Sequence, residues 1–315
     1  MPNSRLLDLP AHLALVCHDA GAANHIFAWV TDVAVKQPDA IANWRLLTQG
    51  PAASLWAQHE SSNIRLCQGL DDVLEGAKTL IAGTGWASDL EYEAIKKARE
   101  RNIPVIGVID HWLNYQARFE RHGVIALPDE IWVTDEYAKR LAEAEFGSVK
   151  VELMPNLYLD HLVAEVKLRE HVDCVSDDIL YLLEPIRAAW GEDVESGEFA
   201  ALDYFVKNLD VLGLSDKQSM RLRPHPSDPV GKYNEWIKAQ KKLKVTLDCR
   251  SSLAESIARS GVVVGCQTYA MVVALAAGKK VYSSIPAWAP PCVLPQKDIV
   301  KVSELVREAT ACRLC

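Results

Sequence analysis

The sequence predicts an α/β protein built of two Rossmann-like halves. Three observations carry this. Short, continuous apolar runs alternate with helical patterns along the chain; the alternation is interrupted at Met154-Pro155-Asn156-Leu157-Tyr158 and then restarts; and turns of small or polar residues follow the apolar runs. Continuous apolar runs between helices mark buried parallel strands covered on both faces. A chain of 315 residues accommodates two domains of about 150 residues, each able to bury its own core. The expected domains are 1–155 and 156–315, facing one another across a cleft.

In the first half, Leu13-Ala14-Leu15-Val16-Cys17 reads as a strand and 21–35 as the helix after it. Trp44-Arg45-Leu46-Leu47 and Thr79-Leu80-Ile81-Ala82-Gly83 are further strands, the latter followed by a helix running to Arg99. Residues 104–109 and 130–133 are apolar strands, 135–146 a helix and 149–153 a strand. Proline and asparagine at 155–156 suit a crossing, and a charged helix over 161–171 leads into the second half. There, strands are expected at 179–183, 219–222, 245–247, 262–265 and 280–283, with helices at 203–212, 251–259 and 268–277.

A net charge of −8 and a pI near 5.6 argue against a broad nucleic-acid surface. Eight cysteines lie without repeated metal spacing, and Cys17, Cys174 and Cys266 sit in or beside apolar strands. They read as reduced, buried thiols. No apolar run approaches the ~18 residues that span a bilayer, and the start shows no signal core. A cytoplasmic protein is expected.

Ligands of open α/β sheets bind beyond the C-terminal ends of the strands. The first strand ends in His18-Asp19-Ala20-Gly21-Ala22-Ala23-Asn24-His25. Small residues there let a ligand approach the backbone, and a single glycine is not the GxGxxG dinucleotide fingerprint. Asp19 is placed to act as a general base on an acceptor hydroxyl; its competing use is as a helix cap. His18, Gly21, Asn24 and His25 are the neighbouring acceptor-side candidates. Trp86, in Gly83-Thr84-Gly85-Trp86, is either a stacking platform or a core residue. Asp110-His111-Trp112-Leu113-Asn114 crowds polar and aromatic groups onto one loop. Asp110 is therefore the alternative base, and His111 and Trp112 are further acceptor contacts.

In the second half, Arg223-Pro224-His225-Pro226-Ser227 holds a cation and an imidazole in a stiff turn. Gly265-Cys266-Gln267-Thr268 joins a buried strand to a helix, where free N–H groups and the helix dipole suit a phosphate. Arg223, Ser227, Gly265, Gln267 and Thr268 are the expected phosphate ligands. Protonated His225 is expected to stabilise a departing phosphate. Ser252 stands at a helix start, where capping is the ordinary use. Lys279-Lys280 reads as a solvated helix end, and 285–291 as a segment packed across the domains.

This order of motifs resembles the nucleotide-sugar glycosyltransferases with two Rossmann-like domains (the GT-B fold), in particular the bacterial sialyltransferase and Kdo-transferase group with its His-Pro motif. The resemblance is firmest over 179–284. It implies that the His225 turn and the 265–268 loop hold the CMP part of a donor, that Ser252 contributes to the nucleotide site, and that Glu184 accepts hydrogen bonds from ribose or cytosine. Asp19-Ala20-Gly21 corresponds to an acidic-x-Gly motif. The chain departs from the pattern at Ala20, where some relatives have a second acid, and at Cys266-Gln267-Thr268, which replaces a run of serines. The implied activity is inverting transfer of a CMP-activated acidic sugar (a sialic acid, another nonulosonic acid or Kdo) to a glycan or glycolipid, with peripheral membrane association as one setting. No cofactor or metal is expected, since the chain has no Asp-x-Asp sequence. The alternatives are a UDP-sugar transferase, epimerase or hydrolase, a polyol-phosphate transferase, and a non-catalytic nucleotide-binding partner in polysaccharide biosynthesis.

Overall fold

A computed structural model describes residues 4–58, 64–172, 178–191, 196–215, 218–241, 243–250 and 252–314. Cys174 and Ser251 lie outside these residues. Contacts divide the chain into two compact units, Met1–Tyr158 and Leu159–Cys315.

In the first unit the strands are β1 (Leu13–Cys17), β2 (Arg45–Thr48), β3 (Arg65–Leu66), β4 (Thr79–Gly83), β5 (Val105–Val108), β6 (Glu120–Arg121), β7 (Val124–Ile125), β8 (Glu130–Val133) and β9 (Lys150–Leu153). β6 and β7 form an antiparallel hairpin. The others form one parallel sheet in the order β3-β2-β1-β4-β5-β8-β9. All residues of β1, β5 and β8 are buried, as continuous apolar strands between helical layers require. The helix Ala20–Lys36 lays Ile26, Trp29, Val30 and Val33 into the core. There Trp29 meets Trp132 edge-on at 5.4 Å and donates its indole N–H to the Pro155 carbonyl.

The second unit contains β10 (Ile179–Leu182), β11 (Ser219–Arg223), β12 (Lys244–Leu247), β13 (Val262–Gly265), β14 (Lys280–Ser283) and β15 (Val300–Lys301). They form a parallel sheet in the order β12-β11-β10-β13-β14-β15. Tyr181, Phe205 and Tyr233 are buried in its core, and the Tyr181 hydroxyl lies 2.6 Å from Ser284 Oγ.

In each sheet the chain first adds two strands on one side of its first strand and then crosses to the other. The strand order thus reverses between β1 and β4 in one unit and between β10 and β13 in the other. Both units are Rossmann-like, and each has a topological switch point where open sheets accommodate ligands.

Two local expectations change. The helix expected over 203–212 runs instead from Gly197 to Lys207, with a separate 3₁₀ turn at Leu209–Leu212. Lys279 is not a solvated helix end: its side chain is 8% exposed and pairs with Glu170. It also donates to the carbonyls of Ala258 and Ser260, which meets the need of a buried ammonium for partners. Residues 285–291 make contacts inside the second unit, where Ile285 packs with Ala201 and Cys266 and Trp288 meets Trp190 edge-on. Among the described residues, no helix is long and apolar enough to cross a membrane.

Candidate functional site

At the first unit's switch point, loops after β1, β4 and β5 bring several acids together. Asp19 occupies the N-cap position of the helix Ala20–Lys36, yet its carboxylate makes no capping bond. Instead Oδ1 lies 2.7 Å from His18 Nδ1, so the capping alternative is not how this side chain is used. Both residues are partly exposed, at 21% and 29% of their side chains. Asp110 pairs at 2.8 Å with Arg118, whose side chain is 1% exposed. The same Arg118 nitrogen reaches the carbonyl and hydroxyl of Thr84, and the guanidinium lies over the Trp86 ring, 4.9 Å from its centroid. Arg118 thereby ties the β4 and β5 loops together.

Glycines make room for these acids. A carbon added at Gly21 would lie 1.7 Å from Asp110 Oδ2, and one at Gly85 would lie 2.0 Å from Asp19 Oδ2 and 2.8 Å from Glu91 Oε2. Glu91 is 1% exposed. It accepts the His18 N–H at 2.9 Å and the Gly85 N–H at 2.7 Å. Burial, with repulsion from Asp19 and Asp110, pushes its pKa up to about 7 against those two hydrogen bonds. Burial also acts upward on Asp110, but the charge and hydrogen bond of Arg118 outweigh it and hold Asp110 below the usual carboxylate range.

The remaining first-unit candidates divide. Trp86 is 46% exposed and presents an indole to solvent. Gly21 and Asn24 lie on the first turns of the helix Ala20–Lys36, partly buried. Trp112 is buried and donates its N–H to Asp135, a packing role. His111 is partly buried beside the Trp112 ring, and burial lowers its pKa. His25 is 2% exposed, between Trp29 and Tyr158, and burial lowers its pKa to about 4. It is a neutral core histidine.

In the second unit, Arg223 ends β11 and is held from behind. Its Nη1 donates to Asp248 at 2.8 Å and to Ser256 Oγ at 2.9 Å, and Arg221 reaches the other Asp248 oxygen at 2.7 Å. The Asp248 side chain is fully buried. Burial acts upward on its pKa, but Ser256 and the two arginines keep it low. Arg223 thus anchors the following turn to the β12 end.

The His225 turn is closed by Asp228. The Asp228 carboxylate accepts the His225 N–H at 3.2 Å and the Tyr233 hydroxyl at 2.8 Å, and it pairs with Lys232. Burial acts upward on its pKa, and those partners lower it overall. His225 Nδ1 accepts the backbone N–H of Ser227 at 3.2 Å, with Ser227 Oγ at 2.8 Å. A backbone N–H can only donate, so Nδ1 is bare and the proton sits on Nε2. Burial and the nearby Arg187 and Lys232 lower the His225 pKa despite Asp228. With Nδ1 accepting a backbone N–H, the ring presents its Nε2–H as the donor.

The phosphate turn is also occupied. Glu184, following β10, accepts the Gln267 N–H at 2.6 Å and the Thr268 N–H. Burial lifts its pKa to about 7 against those bonds. Thr268 caps the helix Tyr269–Ala276 through its hydroxyl, and Gln267 Oε1 receives the Val293 N–H. Gly265 lets this turn approach β10, since an added carbon would meet the Leu182 carbonyl at 3.2 Å. Ser252 caps the helix Leu253–Ala258 and donates to Glu165. Glu184, Gln267 and Thr268 therefore gather at the β10/β13 switch point, with Arg223, His225 and Ser227 at the tip of adjacent β11. Ser252 serves a helix start.

Sequence reasoning missed Glu91, Arg118, Asp228, Asp248 and Ser256. Asp248 was within reach of the rule that selected Asp19, as an acid just past a strand. Asp228, three residues after a Pro-flanked histidine, carries the signal of an Asx turn. Glu91 looked like an ordinary acid in a helix's first turn, and nothing local marked Arg118 or Ser256.

Solved structures share this architecture. UDP-GlcNAc 2-epimerase from Neisseria meningitidis, bound to UDP-GlcNAc, matches with a TM-score of 0.61 and 12% identity over 95% of this chain and 90% of that one. The fold is GT-B. S. aureus MnaA in a co-structure with UDP matches at TM-score 0.60 and 11% identity, covering 86% and 78% of the two chains. Acinetobacter baumannii MurG matches at 0.50 and 10%, covering 96% and 91%. At such identities the likeness is one of fold. No protein-family model matches the chain, and no curated protein matches it in sequence.

Proposed function

We propose that this protein is an enzyme acting on a nucleotide sugar, with the nucleotide held by the second unit and the sugar chemistry assisted by acids of the first. The observation that carries this reading is the convergence at neighbouring strand ends: Glu184, Gln267 and Thr268 at the β10/β13 switch point, and the His225 turn at the tip of β11. The His225 imidazole N–H is a fixed donor suited to a phosphate oxygen and needs no reorganisation when charge develops on a leaving nucleotide. Glu184 takes the N–H groups of 267 and 268 and holds that turn in shape beside it. In the first unit, Asp19 is the proposed base on a sugar or acceptor hydroxyl, paired with His18, and Asp110 is the alternative.

The fold likeness supports UDP as the first nucleotide to test, because the Neisseria epimerase and MnaA structures carry UDP-GlcNAc and UDP. A CMP-activated acidic sugar is the alternative donor, which the same binding experiment separates.

Thermal unfolding with UDP, CMP and CDP tests the reading. A ligand at a hundred times its Kd stabilises by about 2.7 kcal/mol, a shift of roughly 5–10 °C for a domain of this size. UDP is expected to stabilise selectively, with UDP-GlcNAc turnover measured as UDP release. Selective stabilisation by CMP would support the acidic-donor reading, and no response to any nucleotide would overturn the proposal.

A further inference from the structure

We propose that Glu91 is a positioning residue for the His18–Asp19 pair, its buried carboxyl group clipping together the two loops of the first unit's switch point and setting the charge beside Asp19. The inference rests on the proposed function for its catalytic consequence, though not for its structural part. Glu91 stands in the first turn of the helix Leu90–Glu100, behind both loops. One carboxyl oxygen takes the N–H of His18 after β1 and the other takes the N–H of Gly85 after β4. The clip is possible because both flanking positions of the β4 turn lack side chains. An added carbon at Gly83 would meet Glu91 Oε1 at 2.1 Å, and one at Gly85 would meet Glu91 Oε2 at 2.8 Å.

The same open face of Gly85 receives Asp19 Oδ2, so the two carboxyl groups converge on one point. From β1 and its loop, the groups facing Glu91 are the Cys17 thiol, His18 and Asp19; from the β5 loop it is Asp110, itself neutralised by Arg118. Burial, with the nearby Asp19, keeps Glu91 protonated up to about pH 7. Below that pH the clip is neutral; above it, Glu91 adds a negative charge behind Asp19.

Two measurements on the full chain test this. Amide ¹H–¹⁵N shifts of Gly85 and His18, the two donors to Glu91, should titrate together with one midpoint near pH 7 in the native protein. They should lose that step in Glu91→Gln. Turnover of UDP-GlcNAc by Glu91→Gln should fall in kcat about ten- to a hundredfold with KM little changed, as expected when a reacting group shifts by less than an ångström. Its pH profile should also lose the inflection near 7, and Glu91→Asp should restore the inflection without restoring full kcat. Amides that show no common step between pH 5 and 8.5, or a Glu91→Gln enzyme with native kcat and pH profile, would overturn the inference. If native protein shows the amide step but turns over no nucleotide sugar, the proposed function fails while the coupling of Glu91 to both loops stands.

Discussion

Replacing Gly85 by alanine tests the placement of Asp19 while every proposed reacting side chain is kept. The new methyl carbon would lie 2.0 Å from Asp19 Oδ2. The carboxylate would have to retreat by about 1.4 Å to reach the 3.4 Å at which ordinary contact begins, breaking its 2.7 Å link to His18. A misplacement of about 1 Å costs on the order of 10²-fold in rate, so kcat for UDP-GlcNAc turnover should fall by about that factor. The parallel change, Gly21→Ala, puts a carbon 1.7 Å from Asp110 Oδ2 and pushes that carboxylate instead. It lies in a helix, where alanine gains up to about 1 kcal/mol of propensity over glycine. The two variants therefore separate the candidate bases, with circular dichroism and melting temperature as controls for folding. The expected result is a large loss in Gly85→Ala and a smaller one in Gly21→Ala. Full activity in Gly85→Ala would refute the role of Asp19, and loss confined to Gly21→Ala would transfer the role to Asp110.

Two further outcomes concern stability. Glu91 and Glu184 hold protons up to about pH 7 when folded, against an ordinary value of 4.5. The folded state thus binds protons that the unfolded chain releases between those values, and each contribution is full below pH 4.5 and lost as pH rises through 7. Each is worth at most about 3 kcal/mol. His25, with a folded value near 4 against 6.5, acts in the opposite sense, its contribution being lost as pH falls below about 6.5. The readout is therefore the difference between proteins: Glu184→Gln and Glu91→Gln should gain stability relative to native as pH goes from 5 to 8 in thermal scans, and a pH-independent difference would refute this. Asp248→Ala leaves the buried guanidinium of Arg221 and the partly exposed one of Arg223 without their shared partner. It should cost about 3–5 kcal/mol in urea unfolding, and a loss under 1 kcal/mol would refute the anchoring role given to Asp248.

Much of the scaffold was legible because buried parallel strands advertise themselves. Strands β1, β4, β8, β13 and β14 fall where their apolar runs and flanking turn residues put them. The two-residue strand β3, with both side chains exposed, and the early start of the Gly197–Lys207 helix lack such a pattern. The strand-tip rule singled out Asp19 and Asp110, Glu184 came from the family resemblance, and the His225 turn from its Pro-flanked sequence. The structure sets all four just past strand ends, since topology brings those ends to one edge of a sheet.

By itself, the sequence determined the two Rossmann-like units and the strand ends from which polar side chains project, because periodicity and turn chemistry are local properties. Only the tertiary structure decided what each side chain does there. It set Arg223 on Asp248, left His225 neutral through the Ser227 N–H, filled the 267–268 turn with Glu184, and placed Glu91 between two loops. These are partnerships across 2 to 83 positions in the sequence. Charge state and hydrogen bonding depend on burial and neighbours in space, and no local pattern encodes either.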